Sequence, residues 1–112
     1  MYQYKAEVLR WVDGDTVLVR IDLGFHCERQ ERIRLARINA HEIRSSTIYK
    51  RRMARAARFQ ANKICPEGSE VIITTSKNSR QDMYARYIAE VKIGRKNVSD
   101  ELLKRKVVRK FK

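Results

Sequence analysis

The spacing of apolar residues changes period along the chain, and this change limits the fold more than any other feature. From residue 4 to residue 38 apolar and polar side chains alternate, which is typical of half-buried strands. The sequence Asp13-Gly14 is a strong hairpin signal, and "DGD" at 13–15 is therefore predicted to be a tight turn. Three strands are predicted, at 4–12, 16–23 and 31–38, with a polar loop "GFHCERQ" at 24–30. Joined by short connections, they form a meander.

Between residues 46 and 64 the apolar spacing becomes three and four, which is the pattern of one helical stripe. Ser45 or Ser46 is expected to cap the helix, because serine side chains accept a hydrogen bond from the first turn. The stripe consists of Ile48, Met53, Ala56, Ala57, Ala61 and Ile64. Basic side chains cover much of the remaining helix surface, and we interpret them as a solvated face, with a nucleic-acid contact surface as the alternative.

After "CPEG" at 65–68 the strand pattern returns. A fourth strand is predicted at 69–77, a fifth at 84–94 and a closing helix within 97–108, capped by Ser99 or Asn97. We therefore expect a mainly β protein with α-helices (α+β). Its strands would form an antiparallel five-stranded barrel of the OB type, with one helix between strands 3 and 4 and a short C-terminal helix. No linker divides residues 1–112, so one domain is predicted.

The charge balance points to a polyanionic partner. Lys and Arg number 26 against 13 Asp and Glu, which leaves a net charge of +13. Such an excess attracts nucleic acid and makes binding dependent on salt. A membrane partner is not expected, because no stretch approaches the ~20 apolar residues of a spanning helix. A basic protein without a nucleic-acid partner remains the alternative.

The two cysteines, Cys27 and Cys65, have no zinc-type spacing to each other or to His26 and His41. We interpret them as ordinary thiols in a reducing compartment. The N-terminal residues lack the apolar core of a signal peptide. A cytoplasmic location is therefore expected, unless a leader was removed beforehand.

Three polar clusters lie at the ends of predicted strands. They are Asp13 with Asp15, then Arg34 with Asn39 and Glu42, and then Asp82 with Arg86. Arginine can pair two phosphoryl oxygens, oxygen ligands can hold a hard cation, and a carboxylate can activate water. Together the clusters contain the groups that phosphodiester hydrolysis needs. Taken separately, the first cluster would be a turn and the second a surface ion pair. The third would be polar residues of a solvent-exposed loop.

These clusters fall in motifs that resemble the staphylococcal nuclease (thermonuclease) family. The motifs are "VDGDTV" at 12–17, "RLARINAHE" at 34–42 and "DMYARYIAEV" at 82–91, and the resemblance extends through "GRKNVSDELLKRKVV" at 94–108. The resemblance implies an OB barrel and a Ca²⁺-dependent nuclease, a phosphodiesterase that cleaves DNA and RNA. It also implies the site residues: Arg34 and Arg86 on the phosphate, Glu42 as general base on water, Asp15, Asn39 and the Ala40 carbonyl as metal ligands, and Tyr84 beside the bound nucleic acid.

The sequence departs from the family pattern at three places. Asn39 replaces the second metal carboxylate, so we expect weaker Ca²⁺ affinity or a different preferred ion. His41 replaces a proline, which could loosen the loop of Glu42 or supply a ligand or base. Met83 and Ala85 replace a lysine and a glycine, which is expected to weaken phosphate contact and stiffen that loop.

Two functions are compatible with the sequence. The first is an active metal-dependent nuclease, favoured by the presence of Asp15, Arg34, Glu42 and Arg86. The second is a catalytically weak or inactive OB-fold module that binds nucleic acid, favoured by Asn39 and the net charge. Family members often continue into a further C-terminal helix, so self-association through uncovered apolar surface is left open. The sequence does not distinguish DNA from RNA, or endonuclease from exonuclease action.

Overall fold

The computed structural model describes residues 2–42, 44–75 and 86–110. The long strands are β1 Tyr2–Asp13, β2 Thr16–Asp22, β3 Glu28–Leu35, β5 Glu70–Thr75 and β6 Arg86–Ile93. Two-residue strands are β4 Ile38–Asn39, β7 Lys96–Asn97 and β8 Arg109–Lys110, and the helices are α1 Ile48–Ile64 and α2 Val98–Lys104. Among the described residues, no helix is long and apolar enough to cross a membrane.

The five long strands form a closed barrel, which confirms the predicted OB-type architecture. Strand β1 pairs antiparallel with β2 and with β5, and β2 pairs with β3. Strand β6 pairs antiparallel with β5 but parallel with β3, in the register Arg32↔Arg86. The expectation of an entirely antiparallel barrel was wrong, because a closed ring of five strands has an odd number of neighbouring pairs, so at least one pair must run parallel.

Alternate residues of the long strands point into the barrel and form its core. The fully buried apolar side chains of the strands include Val17, Val19, Ile33, Leu35, Val71, Ile73 and Val91. Each such side chain stabilises the fold by about 1.5–3 kcal/mol relative to exposure. The period-two pattern thus determined which face of each strand is buried.

Helix α1 is capped by the residue that follows the two serines predicted to cap it. Thr47 is the N-cap, and its hydroxyl accepts a hydrogen bond from the Lys50 amide at 3.2 Å. The helix buries small residues, Ala54, Ala57 and Ala61, whereas Ile48 is 64% exposed. Ala56 is also exposed, so the predicted stripe was only partly right. Alanines on the buried face let α1 approach the barrel closely.

Gly14 lies where α1 meets the β1–β2 turn, and its role is steric. A Cβ atom placed on Gly14 would overlap the Cβ of Ala57 and lie 3.3 Å from the Cβ of Ala40. The predicted turn is present, because Asp13 pairs with Thr16 across it. The glycine therefore fixes three segments, at residues 14, 40 and 57, against one another.

The predicted strand and helix bounds differ from the structure at several ends. Strand β3 begins at Glu28, inside the predicted loop 24–30, and ends at Leu35 before a turn at Ala36–Arg37. The strand predicted at 31–38 therefore ends three residues early, and Ile38 begins the short strand β4. Helix α2 is capped by Asn97, one of the two predicted residues, whose side chain accepts from the Asp100 amide at 3.2 Å. The start of the fifth predicted strand, residues 84 and 85, lies outside the described residues.

Candidate active site

The predicted site residues come from three segments that meet at one end of the barrel. These are the β1–β2 turn, the end of β3 with β4, and the start of β6. Strand register places them side by side, because Thr16 pairs with Arg34, and Arg32 pairs with Arg86. The amide of Leu35 also donates to the Asp15 carbonyl at 2.8 Å, which fixes the turn to β3.

Asp15 links the turn to β4 through its side chain. The carboxylate is 5% exposed, and its Oδ2 accepts from the Ala40 amide at 3.0 Å. Its Oδ1 accepts from the Thr16 hydroxyl at 3.1 Å. Each carboxylate oxygen has two lone pairs, so these bonds orient Asp15 without using all its acceptor capacity.

Thr16 connects the acidic and basic parts of the site. Its Oγ1 accepts a hydrogen bond from Nη1 of Arg86 at 3.0 Å. A hydroxyl has one proton and two lone pairs, so Thr16 can donate to Asp15 and accept from Arg86 at the same time. This chain of two hydrogen bonds orients the Arg86 guanidinium at the start of β6.

Arg34 lies beside this network and contacts the residue that departs from the family pattern. Its side chain is 8% exposed, and its Nη2 donates to Oδ1 of Asn39 at 3.3 Å. The amide oxygen of Asn39 therefore faces a guanidinium group. Asp15, Thr16, Arg34, Asn39 and Ala40 thus lie in one largely buried neighbourhood.

The turn that carries Arg34 into Asn39 is held by Arg37. This residue has a left-handed φ of 70°, which is uncommon outside glycine. Its guanidinium donates to both carboxylate oxygens of Glu90, at 2.8 and 3.1 Å, and pairs with Asp100 at 2.9 Å. The hydrogen bonds to Glu90 and then Asp100 raise the pKa of Arg37 above its usual range. The turn is thus fixed to β6 and α2.

A cleft of about 530 Å³ opens beside this network, and we name it the catalytic cleft after the role proposed for it below. Glu42, Asp13, Thr16 and Arg86 line it. Four more arginines contribute to its walls: Arg10, Arg32, Arg44 and Arg58. Glu42 and Arg86 therefore face one space, whereas Arg34 and Asp15 do not line it.

The arginines of the catalytic cleft outnumber its carboxylates. Arg32 and Arg86 occupy paired positions on neighbouring strands, which lie about 4.8 Å apart. Like charges in such positions repel each other, and an anion between them would reduce the repulsion. The cleft therefore has the charge and the shape to accept a phosphate group.

The structure locates the predicted site residues unequally. Glu42 and Arg86 line one cleft. Outside its lining, the Ala40 amide donates to Asp15, and Arg34 donates to Asn39. Tyr84, together with Asp82, Met83 and Ala85, lies outside the described residues. His41 contacts Tyr49, with ring centroids 6.4 Å apart in an edge-to-face arrangement.

Sequence reasoning overlooked Thr16 and most arginines of the catalytic cleft. Thr16 belongs to the motif "VDGDTV" but was treated as part of a strand. Arg58 belongs to the basic helix surface interpreted as a solvated face, and Arg10 and Arg32 lie in predicted strands without an assigned role. A hydroxyl directly after two turn carboxylates was the available signal for Thr16. The arginines gave no local signal, because only the barrel brings their strands and helix together.

The donor atoms near Asp15 suit a hard cation of the kind the resemblance implies. Asp15 offers a carboxylate, Asn39 an amide oxygen and Ala40 a main-chain carbonyl, and Ca²⁺ binds all three kinds of oxygen. Among the described residues, no three His, Cys, Asp or Glu side chains are grouped to hold a metal. These donors include one carboxylate, and the Asn39 amide oxygen already accepts from Arg34, so a cation held here would meet less negative charge than in a carboxylate-rich site.

Comparison with known protein families finds a match over most of the chain. The family model described as staphylococcal nuclease homologue matches residues 32–109, which include Arg34, Asn39, Glu42 and Arg86. No curated protein matches the chain. The matched segment covers more than half of the 112 residues, and it includes the end of β3 from Arg32, all of β6 and both helices. The chain therefore belongs to the staphylococcal nuclease homologue family.

Proposed function

We propose that this protein is a metal-dependent nuclease that hydrolyses phosphodiester bonds of DNA, RNA or both. The observation that carries the proposal is the hydrogen-bonded chain from Arg86 through Thr16 to Asp15, at the wall of a cleft that Glu42 also lines. This arrangement supplies an oriented guanidinium from Arg86 and a buried carboxylate from Asp15. With the carboxylate of Glu42, they lie beside one space that can hold a phosphate group. Family membership supports the same chemistry.

In this proposal the arginines stabilise the charge that builds up on phosphorus-bound oxygens. Arg86 binds the scissile phosphate, and Thr16 keeps its guanidinium oriented before substrate arrives. Arg34 does not line the cleft, and its guanidinium donates to Asn39, so its part in the proposal is to turn toward the same phosphoryl group when substrate binds. Donors fixed in advance cost little reorganisation during reaction, and removing one commonly slows an enzyme by about 10²–10³-fold.

Glu42 acts as the general base. It takes a proton from a water molecule while the water oxygen forms a bond to phosphorus, and the bond from phosphorus to the leaving oxygen breaks. A well-placed general base contributes about 10²–10⁴-fold to such a step. The leaving oxygen then takes up a proton from solvent or from the cleft.

The metal ion proposed here is Ca²⁺ or a similar hard cation. Asp15, Asn39 and the carbonyl of Ala40 would hold it. When bound, it would neutralise part of the charge on the phosphate. The protein's own residues orient this site, because the Ala40 amide and the Thr16 hydroxyl fix the Asp15 carboxylate.

The test is degradation of plasmid DNA and single-stranded RNA with Ca²⁺, Mg²⁺, Mn²⁺ or EDTA. We expect metal-dependent cleavage, reduced at least about 100-fold in Glu42→Gln and in Arg86→Ala. Glu70→Gln and Arg95→Ala are matched controls, because both residues are exposed and lie outside the catalytic cleft. Full activity in EDTA, or full activity of Glu42→Gln, would refute the proposal.

A second candidate function is a binding module with little or no catalysis. The contact between Arg34 and Asn39 favours it. The positively charged guanidinium of Arg34 lies at the Asn39 oxygen, where a carboxylate would instead attract a metal ion. Tight, salt-sensitive binding of nucleic acid without cleavage under any metal would establish this alternative. Its partner would again be nucleic acid, which the charge of +13 suits.

A further inference from the structure

A second cleft adjoins the catalytic cleft. Its volume is about 630 Å³, and it lies between β1 and α1. Arg10 and Arg58 line both clefts, so the two form one continuous surface. We call the second cleft the β1–α1 groove. Its other lining residues are Trp11, Arg55, Phe59, Asn62 and Glu67.

Helical spacing places the groove residues on one side of α1. Positions 55, 58, 59 and 62 are separated by three, one and three residues, which is the spacing of a single helix face. That face extends about 10 Å along the helix axis, close to the length of three stacked nucleotides. The groove is therefore long enough for several nucleotides and begins at the catalytic cleft.

The charge of the combined surface is suited to a polyanion. Six arginines line the two clefts: Arg10, Arg32, Arg44, Arg55, Arg58 and Arg86. Their described acidic counterparts are Asp13, Glu42 and Glu67. Arginine forks bind phosphate oxygens in pairs, so successive arginines can follow a phosphate backbone.

Phe59 gives the groove an aromatic ring that the fold does not need for its core. The side chain is 60% exposed, and the Lys63 ammonium lies 5.5 Å from the ring centroid. An exposed ring in a basic groove can stack with a nucleobase. Trp11 differs, because it is buried and its indole N–H donates to the Cys65 carbonyl at 2.9 Å. Trp11 therefore forms a wall, and Phe59 is the surface that a base can contact.

We propose that the β1–α1 groove binds the single-stranded nucleic acid that extends beyond the catalytic cleft. Arg55 and Arg58 contact phosphates, and Phe59 stacks with a base. The ligand is single-stranded because a duplex hides the faces of its bases from such a ring. The inference rests on the proposed function for the position of the scissile bond, and its test is independent of cleavage.

The experiment measures equilibrium binding in the Glu42→Gln background with EDTA present. Fluorescence anisotropy is recorded with labelled oligo(dT) and oligo(rU) of two and twelve nucleotides. Phe59→Ala is expected to weaken twelve-nucleotide binding about tenfold, and Phe59→Tyr is expected to retain it. Arg55→Glu is expected to weaken it and to reduce the slope of log affinity against log salt by about 0.7. Dinucleotide affinity is expected to stay unchanged.

Two substitutions serve as matched controls. Arg52→Glu makes the same charge change on an exposed part of α1 that does not line the groove. Phe25→Ala removes an exposed ring at the β2–β3 turn, at the far end of β2 from the groove. Both are expected to bind the twelve-nucleotide ligands as the background protein does.

Several results would overturn the inference. One is an unchanged affinity for the twelve-nucleotide ligands in both Phe59→Ala and Arg55→Glu. Others are an equal loss of affinity in the two control variants, or an equal loss of affinity for dinucleotides. An affinity for duplex DNA equal to that for single strands would also overturn it. Competition by polyglutamate as effective as that by oligo(dT) would also contradict it. A chain that binds through the groove but cleaves nothing would refute the proposed function alone.

Discussion

In the function proposed above, the strength of the metal site depends on Asn39. Its amide oxygen accepts from Arg34 and carries no charge. Asn39→Asp adds a carboxylate beside Asp15, and we expect Ca²⁺ to bind about tenfold more tightly, because Ca²⁺ affinity rises with ligand charge. Isothermal titration calorimetry measures the change directly.

The Asn39→Asp experiment needs a control for general charge. Asn62→Asp adds the same charge on an exposed part of α1 and should leave Ca²⁺ affinity unchanged. If Asn39→Asp also leaves the affinity unchanged, Asn39 is not a ligand. The introduced carboxylate could instead form an ion pair with Arg34 and exclude calcium. That outcome would appear as a loss of Ca²⁺ affinity.

The two thiols differ in burial, and their reactivities should differ accordingly. Burial raises the pKa of the Cys65 thiol to about 11, whereas Cys27 is exposed. At pH 8 we expect one thiol to react with a disulfide reagent in the native protein and two after denaturation. Cys27→Ser removes the fast reaction, and a fast second thiol in the native protein would contradict the buried position of Cys65.

The same pKa shift gives a pH dependence of stability. Because the folded-state pKa is the higher one, the neutral thiol stabilises the fold below pH 9. This contribution is lost as pH rises from about 9 to about 11. Cys65→Ala should remove that part of the alkaline loss in thermal unfolding profiles, at the cost of a small cavity.

At the scale of elements, Gly14 decides how closely α1 approaches the barrel. Gly14→Ala would bring a methyl group into overlap with Ala57, so we expect a loss of about 1–3 kcal/mol in the free energy of unfolding. Because Gly14 lies between Asp13 and Asp15, the substitution should also disturb the hydrogen bond from the Ala40 amide. Urea denaturation and activity assays measure the two effects.

A double-mutant cycle separates the steric cause from others. Ala57→Gly removes the methyl group that Gly14→Ala would meet, at a helix-propensity cost of about 1 kcal/mol. The double variant should therefore be more stable than the sum of the single effects predicts. Strict additivity would mean that Gly14 is required for a reason other than its contact with α1.

At the helix N-termini, local sequence predicted the capping residue only to within one or two positions. Ser45, Ser46 and Thr47 all have side chains able to cap, and local sequence could not choose among them. Thr47 became the cap because α1 begins where Ala54, Ala57 and Ala61 face the barrel. At α2 both Asn97 and Ser99 were candidates, and the Ser99 hydroxyl instead donates to the Ala36 carbonyl at 2.8 Å.

At the scale of the whole molecule, the net charge of +13 is expected to oppose folding through self-repulsion. Salt screens such repulsion over distances of about 10 Å at 0.1 M. Raising KCl from low to physiological concentration should therefore raise the melting temperature by about 4 °C, the shift that ~1 kcal/mol produces in a small domain. Differential scanning fluorimetry without nucleic acid measures this.

A variant of lower charge tests the cause of that shift. Lys92→Glu with Lys96→Glu changes two exposed residues near the end of β6, away from the catalytic cleft. Its melting temperature should depend less on KCl than that of the natural protein. A melting temperature that falls with added KCl would show that ion pairs such as Arg37–Glu90 outweigh repulsion.

The sequence by itself determined the order of the five long strands and the two helices, and the buried faces of β2, β3 and β5. These properties depend on neighbours within a few positions, such as the alternation at Val17 and Val19 or the turn at Asp13-Gly14. Only the tertiary structure decided the parallel pairing of β3 with β6, the link from Arg86 through Thr16 to Asp15, and the joining of the two clefts at Arg10 and Arg58. Residues 16 and 86 are far apart in the chain, and closure of the barrel is what brings them within hydrogen-bonding distance.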